Sequence, residues 1–376
     1  VQFLFIPWLT VGIAGVLCAI YAFEQHLALM GTGLVAQPSL GVVIALGGLS
    51  RRLIEQGEGY RILSAPLLHA NLQHLVGNLV VFVFAGYRLE RQVGRAWTFC
   101  VFAAGGLAGS VMSVLLSNAA MVTVGASGAI MAMLAALFFV SFRLPDGAAK
   151  TRAQRWVVFL LVPALIPLSG RGATNPVDYA CHFGGTLVGA VLGLLLLLSW
   201  REQRGSDCAQ PALRVPAALV SVGAILAFAS SAYGVNRAYP AYASLAHMMP
   251  DGQVPRRPVD VTASAYRLLH DFPNDPRAHL VVAEAELLQN NATSAEAELR
   301  TALALADVHV AIVYPALNNV IRSVLAETVL AQRRRAEATS IAREACVAAG
   351  NAAPPEALLQ QLEKRQLCDG RSGNAL

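Results

Sequence analysis

The stretch VTVGASGAIMAMLAALFFV (Val122–Val140) is apolar almost throughout, yet it opens with Ser127 set among glycines and other small residues. No charged residue occurs between Gly125 and Phe142. A hydrocarbon core about 30 Å thick takes about 20 helical residues, so an uncharged run of this kind reads as a membrane-embedded helix. The hydroxyl at its head has three readings: a helix cap, a helix-packing residue or a nucleophile. The rest of the chain has to choose among them.

The surroundings support the membrane reading. The 376 residues are 56% hydrophobic and 14% charged, where soluble domains carry about a quarter charged residues. Mean hydropathy is +0.53. Seven apolar segments stand out: Phe3–Phe23, Leu75–Tyr87, Trp97–Leu116, Gly125–Phe142, Trp156–Leu168, Cys181–Trp200 and Ala212–Tyr233. The second and fifth are short, and Pro163 and Pro167 interrupt the fifth. Such spans are tolerated where protein covers them or they line a polar cavity. The first is read as a span and not a signal peptide, since no basic segment precedes it and no clear cleavage site follows. The expected fold is all-α: a polytopic bundle of about seven transmembrane helices over residues 1–235, a proline-containing linker at 236–258, and a soluble helical domain at 259–376.

Charge orients the bundle. The breaks after the even-numbered spans carry Arg88, Arg91 and Arg95, then Arg143, Lys150, Arg152 and Arg155, then Arg201, Arg204 and Arg214. The breaks after spans three and five hold only Arg171. The positive-inside rule then makes the amino terminus cytoplasmic. Seven spans place the carboxy-terminal domain outside the cytoplasm, although Arg51, Arg52 and Arg61 in the first loop oppose this orientation. The net charge of +5 follows from this topology, and no basic tract points to a nucleic-acid partner. Arginine far outnumbers lysine, as in GC-rich bacterial genomes, which suggests a bacterial inner membrane.

The six cysteines form no metal-binding pattern. Cys346 and Cys368 are the only pair in the exported domain, and a disulfide is expected between them. That domain also carries a repeat. Ala283, Ala295 and Ala302 are spaced by 12 and 7, and Ala326, Ala338 and Ala345 repeat the spacing after an offset of 43. These positions resemble the small-residue positions of the tetratricopeptide repeat, where two antiparallel helices pack closely. The large aromatic positions are not matched, and an alanine-rich hairpin accounts for the spacing equally well. Either form suits a module that binds a protein partner.

Polar groups inside spans are costly, about 2.5–3.5 kcal/mol for a charge at the bilayer centre on insertion scales, and so mark candidate sites. His69, His74 and Asn78 lie around the start of span two, Ser127 at the start of span four, and His182 at the start of span six. Even-numbered spans run in one direction, so these groups share a depth. Each has a blander reading alone: Ser127 as a cap, the histidines as partners of loop carbonyls, Asn78 and the Gly185–Gly189 pair as packing. Together they supply a nucleophile, a base and oxyanion donors. No carboxylate accompanies the histidines as in H-E-x-x-H, so neither a metal nor any other cofactor is expected.

At this point the chain resembles the rhomboid intramembrane serine proteases over roughly residues 1–200. The matching elements are His69, His74 and Asn78 in H-x-x-x-x-H-x-x-x-N, GYRLE closing span two, GASG at Gly125–Gly128, and HFGGTLVG from His182. Tyr60–Arg61 is similar to the aromatic–arginine pair of the family's first loop. The resemblance implies a Ser127–His182 dyad that hydrolyses transmembrane protein substrates near the outer membrane boundary, with membrane lipids as its surroundings. The oxyanion would be held by the Ser127 N–H with His74 and Asn78, supported by Gly125, while His69 would hold the first loop. Gly185, Gly189 and Gly193 would let span six approach span four. Asp178, four residues before His182, is placed in an exposed loop and not in a triad.

Two positions depart from the family pattern: Met131 replaces an aromatic residue one turn after the serine, and Cys181 replaces the alanine before the histidine. The alternative function is a catalytically inactive rhomboid-like chaperone or scaffold that binds transmembrane clients and recruits partners through its tail. A pure scaffold needs neither Ser127 nor His182.

Overall fold

The computed structural model describes residues 5–29, 39–117, 121–144, 147–166, 177–199, 211–306 and 308–368. Pro167, Arg171, Arg201, Arg204 and Cys208, with the outer ends of the expected first, fifth and sixth spans, lie outside the described residues. Among the described residues the chain is helical apart from one strand pair. It divides into two compact units, Val1–His26 with Ala45–Pro240, and Leu27–Ile44 with Ala241–Leu376.

In the first unit every expected span falls on a helix. Helix α1 is Trp8–Leu29. After α2, Leu40–Ala45, nearly all of which falls in the second unit, the first loop folds into β1, Leu49–Ser50, and the short helices α3, Arg51–Glu55, and α4, Arg61–Ser64. The remaining helices are α5, Leu72–Val93, α6, Arg95–Leu116, α7, Ser127–Val140, α8, Ala148–Leu165, α9, Tyr179–Ser199, and α10, Pro211–Ala246. Strand β2, Val122–Thr123, precedes α7. Helices α1, α5, α6, α9 and α10 are long and apolar enough to cross a membrane.

The remaining two spans differ for physical reasons. Helix α7 has 14 residues, about 21 Å at 1.5 Å per residue. Every residue from Gly128 to Leu137 is buried inside the bundle, so α7 is sheathed by protein and not by lipid. Helix α8 begins among basic residues and carries Pro163 in its last turn.

One boundary corrects the sequence expectation. Span two was expected to end at Tyr87, but α5 continues to Val93. Its extra turns are held because Glu90 is turned inward, where it accepts hydrogen bonds from Leu9 N–H (3.1 Å), Thr10 N–H (2.9 Å) and Thr10 Oγ1 (2.8 Å). A carboxylate from α5 thus caps the amino terminus of α1, satisfying N–H groups that a helix leaves unpaired. Gly94, at φ 81°, then stops the helix. Within the expected linker at 236–258, α10 runs through Pro240 to Ala246. A helix can pass a proline by forgoing one backbone bond, here the one Asn236 would accept, at a cost of about 3 kcal/mol.

Glycine stripes set the bundle's packing. A Cβ on Gly185 would collide with the Gly128 carbonyl oxygen, and one on Gly189 with the Ala132 carbonyl oxygen. One on Gly193 would lie 2.7 Å from the Ala136 Cα. Helices α7 and α9 therefore meet backbone to backbone, which is how helices gain dispersion contact in lipid. Gly105 and Gly109 of α6 face Ala132 and Gly128 in the same manner.

The first loop is tied to this frame. Strands β1 and β2 pair antiparallel, Leu49 opposite Thr123 and Ser50 opposite Val122. Arg51 donates to the carbonyls of Val114 (2.5 Å) and Ser117 (3.0 Å) at the end of α6. Buried Arg61 bonds Glu58 (2.7 Å) and the Gly48 carbonyl (2.9 Å), and Ser231 of α10 donates to the Tyr60 carbonyl at 2.8 Å.

The second unit is helical. It comprises α11, Pro258–Asp271, α12, Pro276–Leu288, α13, Ala292–Leu305, α14, Val308–Val313, α15, Leu317–Ala331, α16, Arg335–Val347, and α17, Glu356–Lys364. Helices α12 and α13 pack as one hairpin, and α15 and α16 as another. All six alanines of the sequence repeat are fully buried in these hairpins. The turns repeat as well: Asn290 and Arg333 have φ of 58° and 66°. In each, the next N–H returns to a helix carbonyl, Asn291 to Glu286 at 2.9 Å and Arg334 to Val329 at 3.2 Å. Cys346 and Cys368 form a disulfide with Cα atoms 5.6 Å apart. Arg277 is buried with bonds to Asp275 and Asp251 and stacks on Tyr314, its guanidinium 4.3 Å from the ring centre. Burial acts against its charge, but these carboxylates outweigh it and raise its pKa.

Candidate active site

Strand β2 delivers the serine. After Val122–Thr123 the chain turns at Gly125, whose φ of 117° suits glycine, and the Gly125 N–H donates to the Ala65 carbonyl at 3.0 Å. Helix α7 starts two residues on, so Ser127 is its first residue and is half-buried. The N–H groups of a first helical turn have no intrahelical acceptor and carry the positive end of the helix dipole. The Ser127 hydroxyl faces the thiol of Cys181.

His182 sits in the first turn of α9. Its Nδ1 is 2.7 Å from the Ala164 carbonyl. A carbonyl oxygen only accepts, so Nδ1 carries the proton and Nε2 keeps its lone pair. Ala164 is one residue from the end of α8, where carbonyls lack a helical partner, and so can accept from a side chain. Cys181, the departure beside His182, is buried with its sulfur against Gly109 and Gly128, which leave it room. Met131, the other departure, is buried in the bundle core.

Asp178 is not in an exposed loop. Its carboxylate accepts from Ser113 Oγ (2.5 Å), Ser117 Oγ (2.9 Å), Thr123 Oγ1 (2.8 Å) and the Cys181 N–H (3.0 Å). It caps α9 and ties that cap to α6 and to β2. Thr123 lies four residues before Ser127 and Asp178 four before His182, so their bond links the two candidate segments.

The third contribution comes from α5. The Asn71 side chain caps this helix by accepting the His74 N–H at 2.8 Å. A Cβ on Gly125 would lie 2.6 Å from His74 Cε1, 2.8 Å from its Nε2 and 3.4 Å from Asn78 Nδ2. The glycine therefore admits both side chains beside the serine loop. His74 is also close enough to His182 for the two rings to interact electrostatically. His69 is fully buried, with Nε2 3.1 Å from Asn78 Nδ2 and its ring 5.3 Å from that of His74. It was expected to hold the first loop; in the structure its ring holds the Asn78 amide. Ser127, His182, His74, Asn78 and Gly125 are thus gathered at the amino-terminal ends of α5, α7 and α9.

Three contributors escaped the sequence reading. Glu90 stood in a recognised stretch, but nothing there told its partner. The Ala164 carbonyl is backbone and leaves no side-chain signal. Glu24 directly follows an apolar run, and a carboxyl at that place is itself a signal.

The comparisons agree with this architecture. The family model for the rhomboid domain matches residues 56–199. RHOMBOID-like protein 5 of Arabidopsis thaliana is 36% identical over 169 residues, 45% of this chain and 53% of that protein. Rhomboid protease GluP of Bacillus subtilis is 31% identical over 156 residues, 40% of this chain and 30% of that protein. Rhomboid-related protein 2 of Mus musculus is 31% identical over 150 residues, 36% of this chain and 47% of that protein. The chain spans about half the length of the first plant relatives it matches. Within its membrane-embedded helices, this multi-pass membrane protein carries a rhomboid domain at residues 56–199.

Proposed function

We propose that the chain is an intramembrane serine endopeptidase acting on transmembrane protein substrates through Ser127 and His182. The observation that carries this reading is the His182 Nδ1 bond to the Ala164 carbonyl, which leaves Nε2 unprotonated at the end of α9 packed against the serine helix. In this mechanism Nε2 takes the Ser127 proton as Oγ attacks the scissile carbonyl, and then returns it to the leaving amine. The new oxyanion lies at the start of α7, where the Ser127 N–H, His74 and Asn78 supply donors and the helix dipole adds positive potential. No carboxylate is needed, and the four bonds of Asp178 occupy it elsewhere. Water enters on the same base to release the acyl-enzyme.

In the same reading the membrane is a bacterial inner membrane, with the amino terminus in the cytoplasm and the tail outside it. The Cys346–Cys368 disulfide supports this placement, because such bonds persist in oxidising compartments. The two tail hairpins, with their buried alanines and matched turns, serve as a tetratricopeptide-like module for a protein partner.

The test is cleavage of a transmembrane substrate by the full chain in bilayers. Wild type is expected to cleave, and Ser127→Ala or His182→Ala to lose at least about 10⁴-fold in rate. A wild type that cleaves nothing, or a Ser127→Ala variant that cleaves equally well, would favour the inactive scaffold.

A further inference from the structure

Glu24 is a buried carboxyl group that the proposed mechanism leaves unused. It lies in α1, is fully buried, and accepts the His69 backbone N–H with both oxygens, at 3.2 and 3.3 Å. Leu17 and Tyr21, the buried residues of the preceding two turns of α1, belong to the bundle core. A side chain needed only to fill this space would be apolar, since a carboxyl there carries a desolvation cost.

The bond it makes leads to the oxyanion donors. His69, likewise fully buried, presents Nε2 to Asn78 Nδ2 at 3.1 Å. An amide nitrogen only donates, so this contact requires Nε2 to be the unprotonated ring nitrogen. It uses one of the two Asn78 N–H groups and leaves the other beside Gly125, two residues from Ser127. If His69 turned away or changed tautomer, the amide could flip and present its oxygen instead. An acceptor aimed at a developing oxyanion would repel it. His69 therefore decides whether Asn78 stabilises or opposes the transition state, and Glu24 anchors the His69 backbone.

We propose that Glu24 is a positioning residue for the oxyanion site, acting through His69 to hold the Asn78 amide with its N–H toward Ser127. This rests on the protease reading above. It predicts that the first membrane helix takes part in the chemistry through the His69 backbone.

The test uses the full chain in bilayers with a transmembrane substrate. Glu24→Leu is expected to lower kcat about 10- to 100-fold with KM nearly unchanged, the loss typical of a misplaced catalytic group. Glu24→Gln keeps an oxygen for the same N–H and is expected to remain within about threefold of wild type. In an Asn78→Ala background, Glu24→Leu should cost less than about twofold further, because coupled residues are not additive. The inference is overturned by full activity of Glu24→Leu, by equal losses in Glu24→Gln and Glu24→Leu, or by an undiminished loss in the Asn78→Ala background. Active wild type with inactive Ser127→Ala keeps the protease reading intact through any of these results. Should wild type not cleave, the side-chain amide NMR signals of Asn78 still decide: they should move in Glu24→Leu and stay in Glu24→Gln. Signals unmoved in Glu24→Leu would end the proposal.

Discussion

In the function proposed above, the membrane bundle and the helical tail solve the same packing problem in different solvents. In the bundle, α7 and α9 meet through Gly185, Gly189 and Gly193, where backbone touches backbone. In the tail, the close helix crossings are made by fully buried alanines, with leucines such as Leu299 and Leu325 beside them. Lipid offers no hydrophobic gain for joining two apolar helices, so contact area and satisfied polar groups must hold them. Water does offer that gain, at about 25 cal/mol per Å² of apolar surface removed, and a methyl at each crossing is then an asset. The polar groups divide likewise. The bundle uses few, and some of them take three or four bonds each, as at Glu90 and Asp178. The tail spreads charge over its surface, where Arg300 and Arg334 bridge Glu296 and Glu337.

The sharpest break of this contrast is Gly189→Val. Its added atoms collide with the Ala132 backbone, which cannot move aside like a flexible side chain. Overpacking of this kind costs about 3 kcal/mol or more. Cleavage and resistance to denaturation in mild detergent should both collapse, while the melting of the tail stays unchanged. Unchanged cleavage would show that the helices do not depend on that contact.

Reduction of the Cys346–Cys368 bond probes the tail. The bond closes a segment of 22 residues, for which the loop-entropy relation gives about 3 kcal/mol. A reductant should lower the tail's thermal midpoint and leave substrate cleavage intact. If the midpoint does not move, the tail's stability owes little to that bond.

Asp178→Ala should cost the bundle about 2 kcal/mol, since three hydroxyls and one N–H lose their acceptor. Its effect on turnover should exceed its effect on stability, because the bond to Thr123 sets the serine segment against the histidine segment. Equal losses in both would make Asp178 a fold residue only.

The smallest effect is acid sensitivity of the tail. Burial acts to raise the Glu296 carboxyl, but bonds from Arg300, Gln332 and Arg334 outweigh it and hold its pKa below the ordinary value. Arg300 and Arg334 lower that of Glu337 as well. A lowered folded-state pKa gives stability that is present above the unfolded pKa and lost as pH falls through the folded one. Thermal scans of the tail should thus show a modest decline below about pH 4.5, weaker in high salt. A flat profile would mean that water screens these pairs completely.

Much of the bundle was legible in the sequence because apolar runs of membrane length have few alternatives. The glycine spacing of α9 and the shared depth of His74, Ser127 and His182 could also be read, since both follow from helical periodicity and span direction. The tail repeat was visible as alanine spacing alone, and the structure adds matched left-handed turns at Asn290 and Arg333. Helix ends were read less well. Pro240 looks like a break in one dimension, yet α10 runs through it. Asp178 was misplaced because its partners, Ser113, Ser117 and Thr123, are more than 50 positions away and individually unremarkable.

By itself the sequence determined that the chain is a polytopic helical membrane protein and which few polar groups could do chemistry, because hydropathy and periodicity are local properties. Only the tertiary structure decided which nitrogen of His182 is free, what occupies Asp178, and that Glu24 reaches the His69 backbone. Those choices rest on the direction of single hydrogen bonds between segments far apart in the chain. Such directions exist only once the glycine-lined helices have closed on one another.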